Sequence, residues 1–390
     1  MEGTWWRKRQ EIDTEQEAII SLPFDGKYLV IGPPGCGKTN ILVLRAAYMS
    51  KSGFKDLMLL TFGSVLSGFI NTGRKELDAD QIATHWSWAS DLASRVPGYW
   101  DRINATKSLG KWQQFEARRQ IVMEDSRKGL AAPGYSGYVH QVILVDEVQD
   151  LTSAEVDVLN DSTPRLMFAG DVRQSIYHGD GLPRAKALGF QVKKLTAHYR
   201  MGKAIARVAD RLHPPKNPGE GLEATTNYDE TTRESRAKHR EFPDRAKQFE
   251  AMLKEIRIQL RAYPDETLAI LVPRRVDFDE LETWFDETEV AHLVAYHRSQ
   301  DSISLFRSDA RIHVMTINGA KGTEFRVVHL YACEAAQGRQ DTTEFWYTAV
   351  TRAKTTLLAY SSPSSPGVSR KLLAAFAENT NPSVDSLFDE

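Results

Sequence analysis

Short apolar runs set between polar stretches give this chain its rhythm. Val142-Ile143-Leu144-Val145 is four apolar residues running straight into Asp146-Glu147, and Tyr28-Leu29-Val30-Ile31 runs into a glycine-rich turn. Such runs lack polar alternation, so they read as strands covered on both faces, as in a parallel sheet. Further strands are expected at 56–62, 82–84, 165–169 and 192–195, and then at 268–272, 291–295, 312–316, 327–331 and 356–360. Helical periodicity covers Thr39 to Met49, Trp86 to Val96 and Lys111 to Arg127. Thr14-Glu15-Gln16-Glu17 opens a short helix with a capping-box pattern.

This pattern divides the chain. Residues 1–84 and 139–200 form a first α/β unit, interrupted at 85–138 by a small helical insertion. Residues 201–245 carry charges of both signs, Pro214, Pro215 and Pro218, and a threonine-rich tract, and read as a polar connector after one short helix. A second α/β unit follows at 246–380, with a tail at 381–390. No fixed-period repeat relates the two.

Composition adds bounds. The chain has 390 residues, 41% hydrophobic and 26% charged, as in an ordinary globular protein. A net charge of −2 means that any nucleic-acid surface must be a local groove. Two cysteines, one of them inside the glycine-rich turn, fit a reducing cytoplasm. The first residues lack the apolar run of a secretory signal, and no stretch approaches a membrane span.

The chemistry is concentrated at two strand ends. Gly32-Pro33-Pro34-Gly35-Cys36-Gly37-Lys38-Thr39 fits the phosphate loop G-x-x-x-x-G-K-[ST], with a strand before it and a helix after. Backbone N–H groups there face phosphates, Lys38 neutralises them, and Thr39 offers a hydroxyl to Mg2+. At the carboxyl end of the other strand, Asp146 is placed to hold Mg2+ and Glu147 to polarise an attacking water. Together they imply a nucleotide hydrolase.

The added Gln149-Asp150 makes the acidic stretch resemble that of superfamily 1 helicases, and the remaining motifs resemble the UvrD/Rep/PcrA branch over nearly the full length. The resemblance implies a P-loop NTPase with two RecA-like domains, mostly parallel sheets, ATP in the cleft and single-stranded nucleic acid across the top. Gln16 resembles the family's adenine-reading glutamine. Leu60-Thr61-Phe62 and Thr84-His85-Trp86 resemble motifs near the nucleic acid, the first with an aromatic that touches bases. In Gly170-Asp171-Val172-Arg173-Gln174-Ser175-Ile176-Tyr177, Gln174 is expected to reach toward the γ-phosphate and Tyr177 to lie near the strand. The resemblance further implies Tyr199 stacked on the nucleotide base and Arg200 at the γ-phosphate. Thr316 is expected at the nucleic-acid backbone, Glu324 at the ribose, and Arg352 as a finger from the second domain.

The departures are informative. His178-Gly179-Asp180-Gly181 replaces the aromatic-Arg-Gly-Ala segment, so one stacking platform is missing or is supplied by Tyr177 or His178. Asn318 stands for a histidine and Asn40 for a basic residue. Only about 115 residues separate Arg200 from Thr316, too few for the family's large accessory domain as well as the second domain's first strands. The expected function is an ATP- and Mg2+-dependent translocase or helicase on single-stranded DNA or a tailed duplex, 3′→5′ by resemblance. The alternative is a DNA-activated NTPase switch serving a nuclease partner in repair or anti-phage defence, without processive unwinding.

Overall fold

The computed structural model describes residues 12–377 apart from 64–65, 68–69, 71–76, 132–138, 177–178, 197, 199–200, 299–309 and 365–366. Twelve strands among these residues form two six-stranded sheets in which every described pairing is parallel. The first contains β1 (Lys27–Ile31), β2 (Leu57–Thr61), β3 (Ile82–Thr84), β4 (Val142–Val145), β5 (Leu166–Gly170) and β6 (Gln191–Lys194), in the order β3-β2-β4-β5-β1-β6. The second contains β7 (Arg236–Glu241), β8 (Leu268–Val272), β9 (Val294–Tyr296), β10 (Ile312–Thr316), β11 (Phe325–Leu330) and β12 (Ala353–Ser361), in the order β7-β12-β11-β8-β10-β9.

The apolar runs are the sheet centres. Val142 to Val145, Leu166 to Gly170 and Leu268 to Val272 are buried at every position, because helices cover both faces. On one face of the first sheet, the helix α2 (Lys38–Lys51) packs through Ile41, Leu42 and Ala46. On the other lie the helices His85–Ser94, Tyr99–Ala105 and Lys111–Leu130, which share a core with the sheet through Trp88, Leu92, Ile103 and Val122. The expected helical insertion is therefore a layer on the sheet. It is not a separate lobe.

The stretch 201–245 departs from the expected connector. Its helix Lys203–Leu212 buries Ile205, Ala206 and Ala209 in the core of the second sheet. Its last residues form β7, which pairs with β12 from Arg236↔Thr356 to Glu241↔Ser361. Arg-Ala-Lys-His-Arg-Glu has no apolar run because β7 is an edge strand, held through its backbone on one side and exposed along Arg236, Lys238 and Arg240. The expected strand at 291–295 likewise starts as a 3-10 turn, with β9 following it. Residues 378–390, including the tail, lie outside the described residues.

Parallel strands point the same way, so the loops that leave β1, β4 and β5 converge at one edge of the first sheet. β5 lies between β1 and β4, which puts the phosphate loop two strand spacings, about 9–10 Å, from the acidic corner. Two residues adopt a left-handed backbone without being glycine: Glu147 (φ 58°) and Ala332 (φ 57°). Each lies two residues past a central strand, β4 or β11, and opens a three-residue 3-10 turn.

The nucleotide-side helix α1 (Thr14–Ile20) is anchored by a buried cation. Arg45 of α2 donates from Nη1 to the carbonyls of Ile20 and Leu22 at 2.9 Å and from Nη2 to that of Pro23 at 2.8 Å. Its guanidinium lies 5.5 Å from the centre of the Tyr28 ring. Arg45→Met fills the space but leaves those carbonyls without a donor. Each that stays buried costs about 1–3 kcal/mol, so denaturant unfolding should show a loss of at least that size.

Candidate active site

The phosphate loop wraps from β1 into α2 over two tight approaches. A side chain at Gly32 would meet Cys36 Sγ at 2.6 Å and Leu195 Cβ at 2.9 Å. Gly37 is left-handed (φ 88°) and faces the Gln16 amide. Gln16 Nε2 donates to the Cys36 carbonyl at 2.8 Å, so the expected adenine reader also braces the loop. Pro34, Gly35, Gly37, Lys38 and Thr39 line the cleft. Pro33 contributes its carbonyl to Lys38 Nζ at 2.9 Å, as Gly32 does.

Charge is crowded around Lys38. Burial alone would lower its pKa, but Cys36, Asp171, Glu147 and Asp146 outweigh it and hold the ammonium above its ordinary range. Cys36 is fully buried, and burial pushes its thiol up against the pull of Lys38. Asp171 is raised by burial against the pull of Lys38. Burial and the neighbouring Glu147 raise Asp146 to about 6, opposed by the Thr39 hydroxyl and Lys38.

Thr39 Oγ1 donates directly to Asp146 Oδ2, which brings two hard oxygen donors together at the start of α2. That set fits a small divalent cation, which takes one or two protein oxygens beside those of a phosphate. No group of three or more His, Cys, Asp or Glu that could hold a metal occurs among the described residues. The Asp146 carboxylate also accepts from the Glu147 N–H at 2.9 Å and so shapes the corner. Gln149 locks that corner to the next loop: its Nε2 donates to Glu147, its Oε1 accepts from Asp171 N at 3.0 Å, and its carbonyl accepts from Ser175 Oγ at 3.1 Å.

The second sheet supplies the facing wall. Arg352 is 4% exposed and reaches Gln174 Oε1 at 2.9 Å from Nη2, while Nε and Nη1 are held by the carbonyls of Thr348 at 3.0 Å and Thr323 at 3.1 Å. Glu324 lines the same cleft and lies 3.8 Å from Lys354. Lys321 is buried between the units, donating to Asp150 and to the Gln174 carbonyl. The structure thus brings Lys38, Thr39, Asp146, Glu147, Gln174, Glu324 and Arg352 to one cleft.

The expected nucleic-acid residues are less clustered. Phe62 and Trp86 are half-buried and pack against the first sheet's core. Thr84 caps the helix His85–Ser94, accepting from Ser87 N at 3.0 Å. His85 was expected at the strand, yet it is buried with its ring 6.1 Å from that of Trp88. Thr316 accepts from Gly319 N at 3.0 Å and stays half-buried. Tyr177, His178, Tyr199 and Arg200 lie outside the described residues.

Sequence reasoning gave no role to Lys321 or Gln149, although both stand in motifs it singled out. Arg275 and Val276, which it did not single out either, are exposed a few residues past β8, whose Val272 carbonyl accepts from Ile317 N at 3.0 Å.

Residues 15–180 match the family model described as an AAA domain, and residues 311–360 match the UvrD-like helicase C-terminal domain. No curated protein matches. Among solved structures, one titled "The structure of PRRSV helicase" is 14% identical, with a TM-score of 0.40, and covers 88% of this chain. The match takes in 54% of that protein, so this chain spans about half its length, and a likeness at this level carries no argument. No described helix is long and apolar enough to cross a membrane. The weight rests on the two family matches, which fall in chain order on the two sheets that wall one phosphate-loop cleft: the chain joins an AAA domain to a UvrD-like helicase C-terminal domain, as ATP-hydrolysing helicases of superfamily 1 do.

Proposed function

We propose that this protein couples ATP hydrolysis to movement along single-stranded DNA. The observation that carries the reading is the contact of Arg352, from the second sheet, with Gln174 of the first, across the cleft from Lys38 and Glu147. A site completed by both units can be opened and closed by anything that moves one against the other.

In this reading Lys38 and the loop N–H groups hold the β- and γ-phosphates, and Gln16 and Glu324 hold the base and ribose. Thr39 and Asp146 hold Mg2+, which when bound neutralises charge on the phosphate oxygens. Glu147 orients water and accepts its proton, and Gln149 fixes the carboxylate by its amide. Gln174 reports the γ-phosphate to Arg352, which meets the charge that develops on transfer. Tyr199 and Arg200 are assigned to the base and the γ-phosphate by resemblance. Phe62, Trp86, Tyr177, Thr316 and Arg275 are the candidate strand contacts, and 3′→5′ polarity follows from resemblance alone.

A second reading, a DNA-activated NTPase switch working with a nuclease partner, is favoured by the compactness of the second unit. Residues 203–296 are taken up by the helices and strands that build it, which leaves little chain for an accessory domain. Unwinding of a tailed duplex, with and without such a partner, separates the two.

Glu147→Gln should keep ATP binding and slow turnover by about 10²–10⁴-fold, the usual contribution of a positioned base. Binding lost together with turnover would move Glu147 to the metal or the fold. Arg352→Lys keeps a cation but not the planar fork. It should leave nucleotide affinity near wild type and lower stimulated turnover by about 10³-fold, in a single-turnover assay. Single-stranded DNA should stimulate hydrolysis, and log affinity should fall linearly with log salt as counterions are released. Equal turnover with and without any nucleic acid would remove both readings.

A further inference from the structure

Arg119 lies on the helix Lys111–Leu130, facing the acidic corner from the side of the helical layer. Its guanidinium makes three bonds. Nε donates to Glu155 Oε1 at 2.8 Å, and Nη2 donates both to Glu155 Oε2 and to the main-chain carbonyl of Asp150 at 2.7 Å. Glu155 is itself fixed, because it closes the capping box of the helix Ser153–Ser162, accepting from Thr152 N at 2.6 Å. Burial would raise its carboxyl, but Arg119 and the Thr152 N–H hold it below the ordinary range.

An arginine on a buried capping glutamate needs no function beyond stability. The bond to Asp150 is different, since it adds nothing to the Glu155 pair. Asp150 is held at both ends: its carbonyl by Arg119 and its fully buried carboxylate by Lys321 of the second unit. One residue earlier, Gln149 carries Glu147 and the Asp171 N–H.

The other end of the lever is the start of the helix His85–Ser94. His85 is buried where the charges of Glu155 and Arg119 both act on its ring, in opposite senses, while burial keeps it neutral. Ser126 Oγ ties that helix to the helix Lys111–Leu130 by donating to the Ala89 carbonyl at 2.8 Å. Ala89, Leu92 and Val122 share one core, so packed side chains join the helix that begins at His85 to the helix that carries Arg119.

We propose that Arg119 is a positioning residue that transmits engagement of the strand at the helical layer to the Val148–Asp150 turn, and so to Glu147. This rests on the translocase reading. Arg119 touches no substrate; it acts through the carbonyl of Asp150.

The test uses the full chain with ATP and a single-stranded oligonucleotide, and two variants that divide the three bonds. Arg119→Lys keeps a cation for Glu155 but lacks the fork that also reaches Asp150. Glu155→Gln removes the ion pair and leaves the fork free to hold Asp150. For each variant, stimulated kcat, KM for ATP, strand affinity and melting temperature are measured. Arg119→Lys should lower stimulated kcat by about 2–30-fold with KM and strand affinity unchanged. Glu155→Gln should melt lower and keep its stimulation. Full stimulation in Arg119→Lys overturns the proposal. So does an equal loss in Glu155→Gln, which would make the cluster a matter of stability alone. A wild-type protein that no strand stimulates overturns the translocase reading and the coupling with it, whereas stimulation that survives Arg119→Lys overturns the coupling only.

Discussion

Lys321 and Asp150 make the contact on which the rest of the arrangement depends. Lys321 is 3% exposed and Asp150 fully buried, and they come from different sheets. Separating two such charges without rehydrating both costs several kcal/mol, so whatever holds the sheets apart must also bring in water or another partner. The same ammonium binds the carbonyl of Gln174, whose side chain meets Arg352. One buried cation thereby ties the second unit to the loops that follow β4 and β5.

The cleft on the other side of that contact is built to be short of positive charge. Asp146, Glu147 and Asp171 crowd one ammonium, and two of these carboxyls are raised by burial. Such a site repels itself until further cations arrive, and a divalent metal together with the Arg352 guanidinium would meet that need. Affinity for the nucleotide and closure of the sheets then draw on the same electrostatic deficit.

How much of this was legible follows from burial. β4, β5 and β8 are covered on both faces, so their residues are apolar without interruption and mark themselves. The phosphate loop and acidic corner are legible because their chemistry fixes residue types at short spacing. β7 was not, since an edge strand bonded along one side needs no apolar residue, and Arg236, Lys238 and Arg240 are what solvent allows there. His85 is expected near the nucleic acid only by its likeness to a Thr-His motif, which carries no information on burial, and the packed helices hold it inside. Contacts such as Arg119 to Asp150 link residues 31 apart through a fork and a carbonyl, and no residue type marks a carbonyl in the sequence.

The left-handed backbone at Glu147 invites a catalytic explanation, and Ala332 argues against one. Both residues turn the chain out of a central strand into a 3-10 turn, with nearly the same φ, yet one carries a carboxylate and the other a methyl group. An unfavourable conformation worth about 1–3 kcal/mol thus recurs where no reaction is assigned. The corner recurs in both parallel sheets, and the proposed catalytic carboxylate of Glu147 sits on a geometry that Ala332 adopts without one. Catalysis here is a tenant of topology, and the strained angle identifies the building rather than the occupant.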